Sequence, residues 1–212
     1  MVKIGICGKM ASGKTTLANE VIKLIPEMNK HSLAKAVKDF ATYVYDIKPG
    51  HKDRVAFQKI GDGARKHLYE NIWIDTLIKR INLESQVKYT PSGEVDMNGR
   101  DYGLDWENPD APNYTYHCIV DDIRYVNEVR ELKKAGWIII KLDIDEELQL
   151  ERLKKTYPDD WEMHYNARQH PSELEIDLIS ENMVDVVIQA KDDDSVIQSL
   201  NNFLNPIYEI NS

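Results

Sequence analysis

A chain of 212 residues, 42% hydrophobic and 30% charged, has room for one well-packed α/β domain and carries no low-complexity tract. Its formal net charge of −9 repels polyanions, which sets nucleic-acid binding aside, and no apolar run approaches the ~20 residues of a membrane span. The first residues enter a strand pattern directly, so no signal peptide is expected and the cytoplasm is the default compartment.

In chain order, residues 3–7 predict a short buried strand, followed at once by a glycine-bearing loop. An amphipathic helix over 13–25 places Leu17, Val21, Leu24 and Ile25 on one stripe, with Pro26 just beyond it. Residues 28–33 predict a second strand and 34–45 a helix closed by Pro49-Gly50. Helices are expected over 52–60 and 65–83, the latter grouping Ile74, Leu77, Ile78 and Ile81. The stretch 85–115 is polar and carries the turn signals Pro91-Ser92-Gly93 and Asn98-Gly99, which predict a surface excursion of one or two β-hairpins. Strands then follow at 116–121, 137–143 and 183–189, with helices at 127–135, 146–155 and 195–204. Nearly all-apolar strands alternating with helices predict a parallel sheet covered on both faces. Ligands in such sheets bind beyond the carboxyl ends of the strands, here just after Cys7, Asp121 and Asp143. Cys7 and Cys118 lie in apolar strands, and the chain's two cysteines make neither a disulfide framework nor a metal set.

The first of these strand ends carries the strongest signal. Gly8-Lys9-Met10-Ala11-Ser12-Gly13-Lys14-Thr15 fits G-x-x-x-x-G-K-[ST] and sits between a predicted strand and a predicted helix. The glycines let the backbone wrap so that several N–H groups converge on phosphate oxygens, and the helix N-terminus adds partial positive charge. The phosphate-binding set is therefore Lys9, Met10, Ala11, Ser12, Gly13, Lys14, Thr15 and Thr16. Lys14 brings a full charge to the β and γ phosphates of ATP, and the Thr15 hydroxyl is suited to ligate Mg²⁺.

Ile119-Val120-Asp121-Asp122 ends another buried strand in two carboxylates. One of them suits Mg²⁺ or substrate, Asp121 being assigned to the metal with Thr15, while the bland alternative is an N-cap for the helix that follows. The residues alone leave open which of the pair faces the metal. Phosphoryl transfer depends on positive charge around the transferring group, so the arginines matter. Arg124 lies three residues beyond the strand end; Arg65 is read as opening a helix after Gly61-Asp62-Gly63; Arg152 and Arg168 flank a polar segment after the fourth strand. The six histidines show no triad or ligand spacing, although His170-Pro171-Ser172-Glu173 could shape a lid, and Trp73 is read as core.

The P-loop, Gln58-x-x-Gly61…Arg65 with Trp73 after it, Asp122-Ile123-Arg124-Tyr125-x-Asn127-Glu128 and His170-Pro171-Ser172-Glu173 together resemble the deoxynucleoside monophosphate kinases of bacteriophages. The resemblance implies a P-loop NTPase fold of class α/β. Its five-stranded parallel sheet has order 2-3-1-4-5, with a monophosphate-binding helical region over 34–83 and a lid over 155–172, all in one domain spanning 1–212. It implies Lys14, Arg124 and Arg168 as catalytic residues and Lys35, Arg65, Asp122, Arg124 and Glu128 as acceptor-binding residues, with Arg152 and Arg168 reaching the nucleotide from the lid. The excursion at 85–115 matches nothing in that pattern. Lys154 and Lys155 stand where a second lid arginine is expected, and lysine lacks the bidentate fork.

The expected activity is transfer of the γ-phosphoryl group of ATP, with Mg²⁺, to a (deoxy)nucleoside monophosphate by a cytoplasmic monomer or homodimer, in the host cytoplasm if the chain is phage-encoded. Such an acceptor is already an anionic nucleophile and needs no strong base. The alternatives are a kinase of dephospho-coenzyme A or a hydroxylated metabolite, with Asp39 or Asp122 as base, and a nucleotide-dependent switch or assembly factor using the excursion as its partner surface.

Overall fold

The structure is a computed structural model, and it describes residues 1–25, 27–46, 54–85 and 116–208. Five parallel strands, β1 (Lys3–Gly8), β2 (Met28–His31), β3 (His117–Ile123), β4 (Ile138–Asp143) and β5 (Val186–Gln189), form one sheet of order β2-β3-β1-β4-β5. The expected strand order is borne out. β1 runs between β3, with Ile4 opposite Ile119, and β4, with Ile4 opposite Ile138, so the strand that delivers the P-loop is the central one.

Each face is closed by helices whose apolar stripes match it. On one side Ile4, Ile6, Ile119 and Ile140 meet Leu17 and Val21 of α1 (Lys14–Leu24) and Leu200 and Leu204 of α9 (Asp193–Tyr208). On the other, Cys7, Val120 and Ile139 meet α2 (Leu33–Tyr45), α4 (Ile72–Glu84) and α5 (Val126–Lys134) through Val37, Trp73, Leu77 and Leu132. Each isoleucine fully buried in this way contributes roughly 1.5–3 kcal/mol relative to exposure. Trp73 is core as expected, and its indole N–H donates to Gly61 O at 3.0 Å.

Burial also silences the cysteines. Both thiols are buried and free, and desolvation pushes each up to about 12. Iodoacetamide at neutral pH is therefore expected to label neither cysteine in the folded chain and both in guanidinium chloride, as read by mass spectrometry.

Three readings are corrected. β3 continues to Ile123, so Asp121 and Asp122 sit inside the strand and not at its end. Helix α3 (Arg54–His67) runs straight through Gly61-Asp62-Gly63, which places Arg65 in its last turn and not at the start of a helix. Two interior glycines cost about 1 kcal/mol each, and neither is required by close packing: a Cβ on Gly61 would make an ordinary contact 3.8 Å from Val37 of α2, and one on Gly63 would meet nothing within 4 Å. The segment after β4 also holds more helix than its polarity suggests. It contains α6 (Glu146–Thr156), α7 (Trp161–Asn166), a 3₁₀ turn at Ala167–Gln169 and α8 (Pro171–Asp177). The excursion from residue 86 to 115, the Pro49-Gly50 stop and Pro26 lie outside the described residues.

Candidate active site

The loop from Gly8 to Thr15 leaves β1 and enters α1 through backbone that favours glycine. Gly8 has φ 153°, and a Cβ there would stand 2.6 Å from Leu142 O, a carbonyl that cannot move aside. Gly13 takes φ 98° as the N-cap of α1 and contributes no side-chain cap, which leaves the first-turn amides of α1 open to an anion. Ala11 also adopts φ 61°, a left-handed conformation that costs an L-residue of order 1–2 kcal/mol. Strain of this kind is what a loop accepts when its amides must converge. Ser12 Oγ is buried with no hydrogen-bond partner among the described residues, a second group in the loop that a phosphate oxygen would satisfy.

Lys14 Nζ donates to Gly8 O at 2.8 Å and Lys9 O at 2.7 Å. Burial, reinforced by Arg124, pulls its ammonium down to about 8, against the opposing charges of Glu173 and Asp121. The outer side of the loop is clasped by α6: Gln149 donates to Met10 O at 2.9 Å, and Arg152 donates to Ser12 O at 3.2 Å and Ala11 O at 3.4 Å. Thr15 and Thr16 are exposed in the first turn of α1.

The two aspartates part company because successive strand residues face opposite sides. Asp121 follows Ile119 onto the α1 face, where it is nearly buried and forms an ion pair with Lys30 at 2.7 Å. Asp122 follows Val120 onto the α2 face and accepts from Ser32 Oγ at 2.6 Å and from the amides of Leu33 and Ala34, both at 2.9 Å. Asp122 is thus a helix cap, as one reading of the sequence allowed, but for α2 across the sheet and not for the helix that follows.

Beyond Arg124 opens a cavity of about 400 Å³ lined by Leu33, Val37 and Lys38 of α2, Phe57, Gln58, Asp62 and Arg65 of α3, and Asp122, Arg124, Tyr125 and Glu128. Glu128, 2% exposed, organises its floor. It accepts from Arg65 at 2.7 Å and from the amides of Arg124 at 2.9 Å and Tyr125 at 3.1 Å. Burial pushes this carboxyl up, and the Arg65 charge and those amides oppose the shift. Arg65 also lies 4.3 Å over the Tyr125 ring. Lys35 does not line the cavity: it pairs with Asp39 at 2.7 Å along the exposed face of α2, while Ala34 and Lys38 of the same helix do line it.

Arg168 reaches a second cavity of about 270 Å³ beside Lys9, Gln149 and Glu173, where it pairs with Glu146 and stacks 3.4 Å over Tyr165. The structure therefore brings Lys14, Asp121 and Arg124 together, gathers Arg65, Asp122 and Glu128 around one cavity, uses Arg152 to brace the loop, and leaves Arg168 at the outer rim. Glu173 was missed as a site residue. Only its place in the His170-Pro171-Ser172-Glu173 phrase signalled it, yet its carboxylate accepts from Met10 N at 2.9 Å and from Arg124.

No protein-family model matches this sequence, and no curated protein does. Solved structures match over nearly the whole chain. TT1252 from Thermus thermophilus covers 97% of this chain and 97% of its own length, with TM-score 0.53 and 15% identity. A sugar kinase from Janibacter sp. covers 100% and 99%, with TM-score 0.51 and 13% identity. An uncharacterized protein from Eubacterium ventriosum covers 97% and 98%, with TM-score 0.52 and 11% identity. What the chain shares with them is the α/β P-loop fold, a five-stranded parallel sheet of order 2-3-1-4-5 with helices on both faces. At such identities the likeness carries the fold alone and says nothing of the acceptor.

Proposed function

We propose that the chain transfers the γ-phosphoryl group of ATP to a (deoxy)nucleoside monophosphate. The observation that carries this reading is the cavity beside the P-loop, where two arginines meet an aromatic and apolar wall and every lining carboxylate is already engaged. Arg124 and Arg65 suit the acceptor's phosphate, while Phe57, Tyr125 and Val37 offer surface for a base. Asp122 accepts three hydrogen bonds, Glu128 holds Arg65, and Asp62 accepts from Tyr125 Oη at 3.2 Å. A hydroxyl acceptor would need a base, and both residues nominated for that role are taken: Asp39 is outside the cavity on Lys35, and Asp122 caps α2. A phosphate acceptor needs none.

In this reading the loop amides and Lys14 bind the donor's phosphates, with Lys14 exchanging the carbonyls of Gly8 and Lys9 for phosphate oxygens. Thr15 and Asp121 are the residues that would hold Mg²⁺, Asp121 through its oxygen not paired with Lys30 or by releasing that pair, and the ion when bound would offset phosphate charge. Residues 34–83 form the acceptor region and 155–172 the lid of one kinase domain, with Arg168 at the lid's rim. Among the described residues no helix is long and apolar enough to cross a membrane. The cytoplasm, which supplies ATP and monophosphates, is the expected setting.

A coupled ADP-release assay across the deoxy- and ribonucleoside monophosphates tests the proposal, with dephospho-coenzyme A and hydroxylated metabolites as controls. At least one monophosphate is expected to accelerate ADP release well above hydrolysis. Acceleration by a hydroxylated acceptor alone would overturn it in favour of another small-molecule kinase, and slow hydrolysis that no acceptor stimulates would indicate a switch.

The depressed Lys14 adds a pH signature. In the free chain its ammonium loses its proton as pH rises past about 8, and a neighbouring triphosphate favours the charged form. ATP affinity is therefore expected to fall above that pH, and binding at roughly pH 9 to take up about one proton that binding near pH 7 does not. Calorimetric titration in two buffers of different ionisation enthalpy measures the uptake.

A further inference from the structure

Glu173 belongs to no part of the machinery assigned so far, yet it occupies the seam between the donor loop and the acceptor cavity. It enters from α8 and is 4% exposed, a degree of burial that an unpaired carboxylate does not sustain. Each of its oxygens is committed. Oε2 accepts from the amide of Met10 at 2.9 Å, and Oε1 accepts from the Arg124 guanidinium. A second tie runs parallel to the first, because Lys9 Nζ meets Asp177 of the same helix at 2.7 Å. Helix α8 is therefore fastened to the first half of the P-loop, at Lys9 and Met10, and the Glu173 charge also acts on Lys14.

From this we infer that Glu173 is a positioning residue that holds Arg124 at the lip of the P-loop, so that the guanidinium faces the phosphoryl group as it passes from donor to acceptor. The inference rests on the kinase reading above. The chemistry favours a carboxylate here for two reasons. A long arginine side chain loses considerable rotamer entropy when it is fixed, and a buried charge-assisted bond fixes it before substrate arrives. Only one terminal nitrogen of Arg124 is used by Glu173, so the planar fork still presents further N–H groups to phosphate oxygens. Because the same carboxylate grips the Met10 amide, movement of the donor loop and movement of Arg124 become one movement. Glu173 itself need touch neither substrate.

The test compares E173Q, R124K and the double variant in two ADP-release assays, one with the best monophosphate acceptor and one measuring hydrolysis of ATP with no acceptor. Glutamine retains an acceptor for Met10 but presents an amide with no charge to Arg124. E173Q is expected to lower kcat in both assays about tenfold or more while the KM for ATP changes less than about threefold. The double variant is expected to be no slower than R124K, because the two residues act as one unit. Losses that multiply in the double variant would overturn the inference, as would an E173Q rate equal to the parent's. A faster E173Q, with tighter ATP binding, would identify the carboxylate as a plug that repels the γ-phosphate and would overturn it too. Should E173Q fail to fold, E173D keeps the charge but is one methylene too short to span both partners, and the same loss of kcat is expected of it. If no monophosphate stimulates the parent chain, the function proposed above fails, and the acceptor-free assay still decides the role of Glu173.

Discussion

Lys14→Ala is expected to reduce phosphoryl transfer by about 10³-fold or more while leaving the chain folded. In the proposed reading the side chain carries the full positive charge that the nucleotide's phosphates would meet inside the loop, and its removal would leave backbone amides and Arg124 to offset charge on the transferring group. Stability points the other way. Lys14 is buried enough that its ammonium is pulled down to about 8, which means the fold bears a desolvation cost to keep it there. Its two bonds run to the part-buried carbonyls Gly8 O and Lys9 O, whose loss is modest beside that desolvation cost. The variant's thermal midpoint is therefore expected to match or exceed that of the parent, the pattern of a residue kept for function against stability. Initial-rate ADP release and thermal unfolding on the same preparation measure both. Activity within tenfold of the parent in a clean preparation would remove the P-loop from the mechanism. The proton uptake predicted for ATP binding at alkaline pH should disappear in the same variant.

Much of the frame was legible because it is local. Strands such as Ile138–Asp143 open on consecutive isoleucines, and a glycine-flanked Lys14-Thr15 after a buried strand has few other structures open to it. What failed to show was non-local. Gly61-Asp62-Gly63 carries the punctuation of a turn, yet it lies inside α3, where Gly61 O accepts from the distant Trp73 indole. Asp121 and Asp122 are neighbours in sequence with opposite tasks, and the side each faces depends on which helix covers which face of β3. Lys35 and Lys38 differ by three residues on one helix, a small rotation that separates an exposed ion pair from a cavity wall. Glu173 lies 163 residues from Met10, and no spacing rule links a carboxylate near the end of a chain to a loop at its beginning.

Replacing Arg124 separates donor from acceptor. Arg124→Ala is expected to lower kcat/KM for the monophosphate by about 10²–10³-fold and to change ATP affinity by less than about threefold. Its backbone is held independently of its side chain, the amide donating to Glu128 at 2.9 Å, so truncation leaves β3 and α5 in place. Its guanidinium lines the cavity, and among the described residues its hydrogen-bonded link to the P-loop runs through Glu173. The donor's own ligands, the loop amides and Lys14, remain. Arg65 and Arg124 each pair with a buried carboxylate, Glu128 and Glu173, so truncating either removes a charged partner, and thermal unfolding measured on both variants separates lost stability from lost binding. Arg124 has a further readout. Its charge is the second cause that holds Lys14 down, so Arg124→Ala should move the pH above which ATP binding weakens to a higher value. A fall in ATP affinity with an unchanged monophosphate KM would reassign Arg124 to the donor and leave the acceptor phosphate to Arg65. An unchanged pH midpoint would mean that its charge does not reach Lys14 at all.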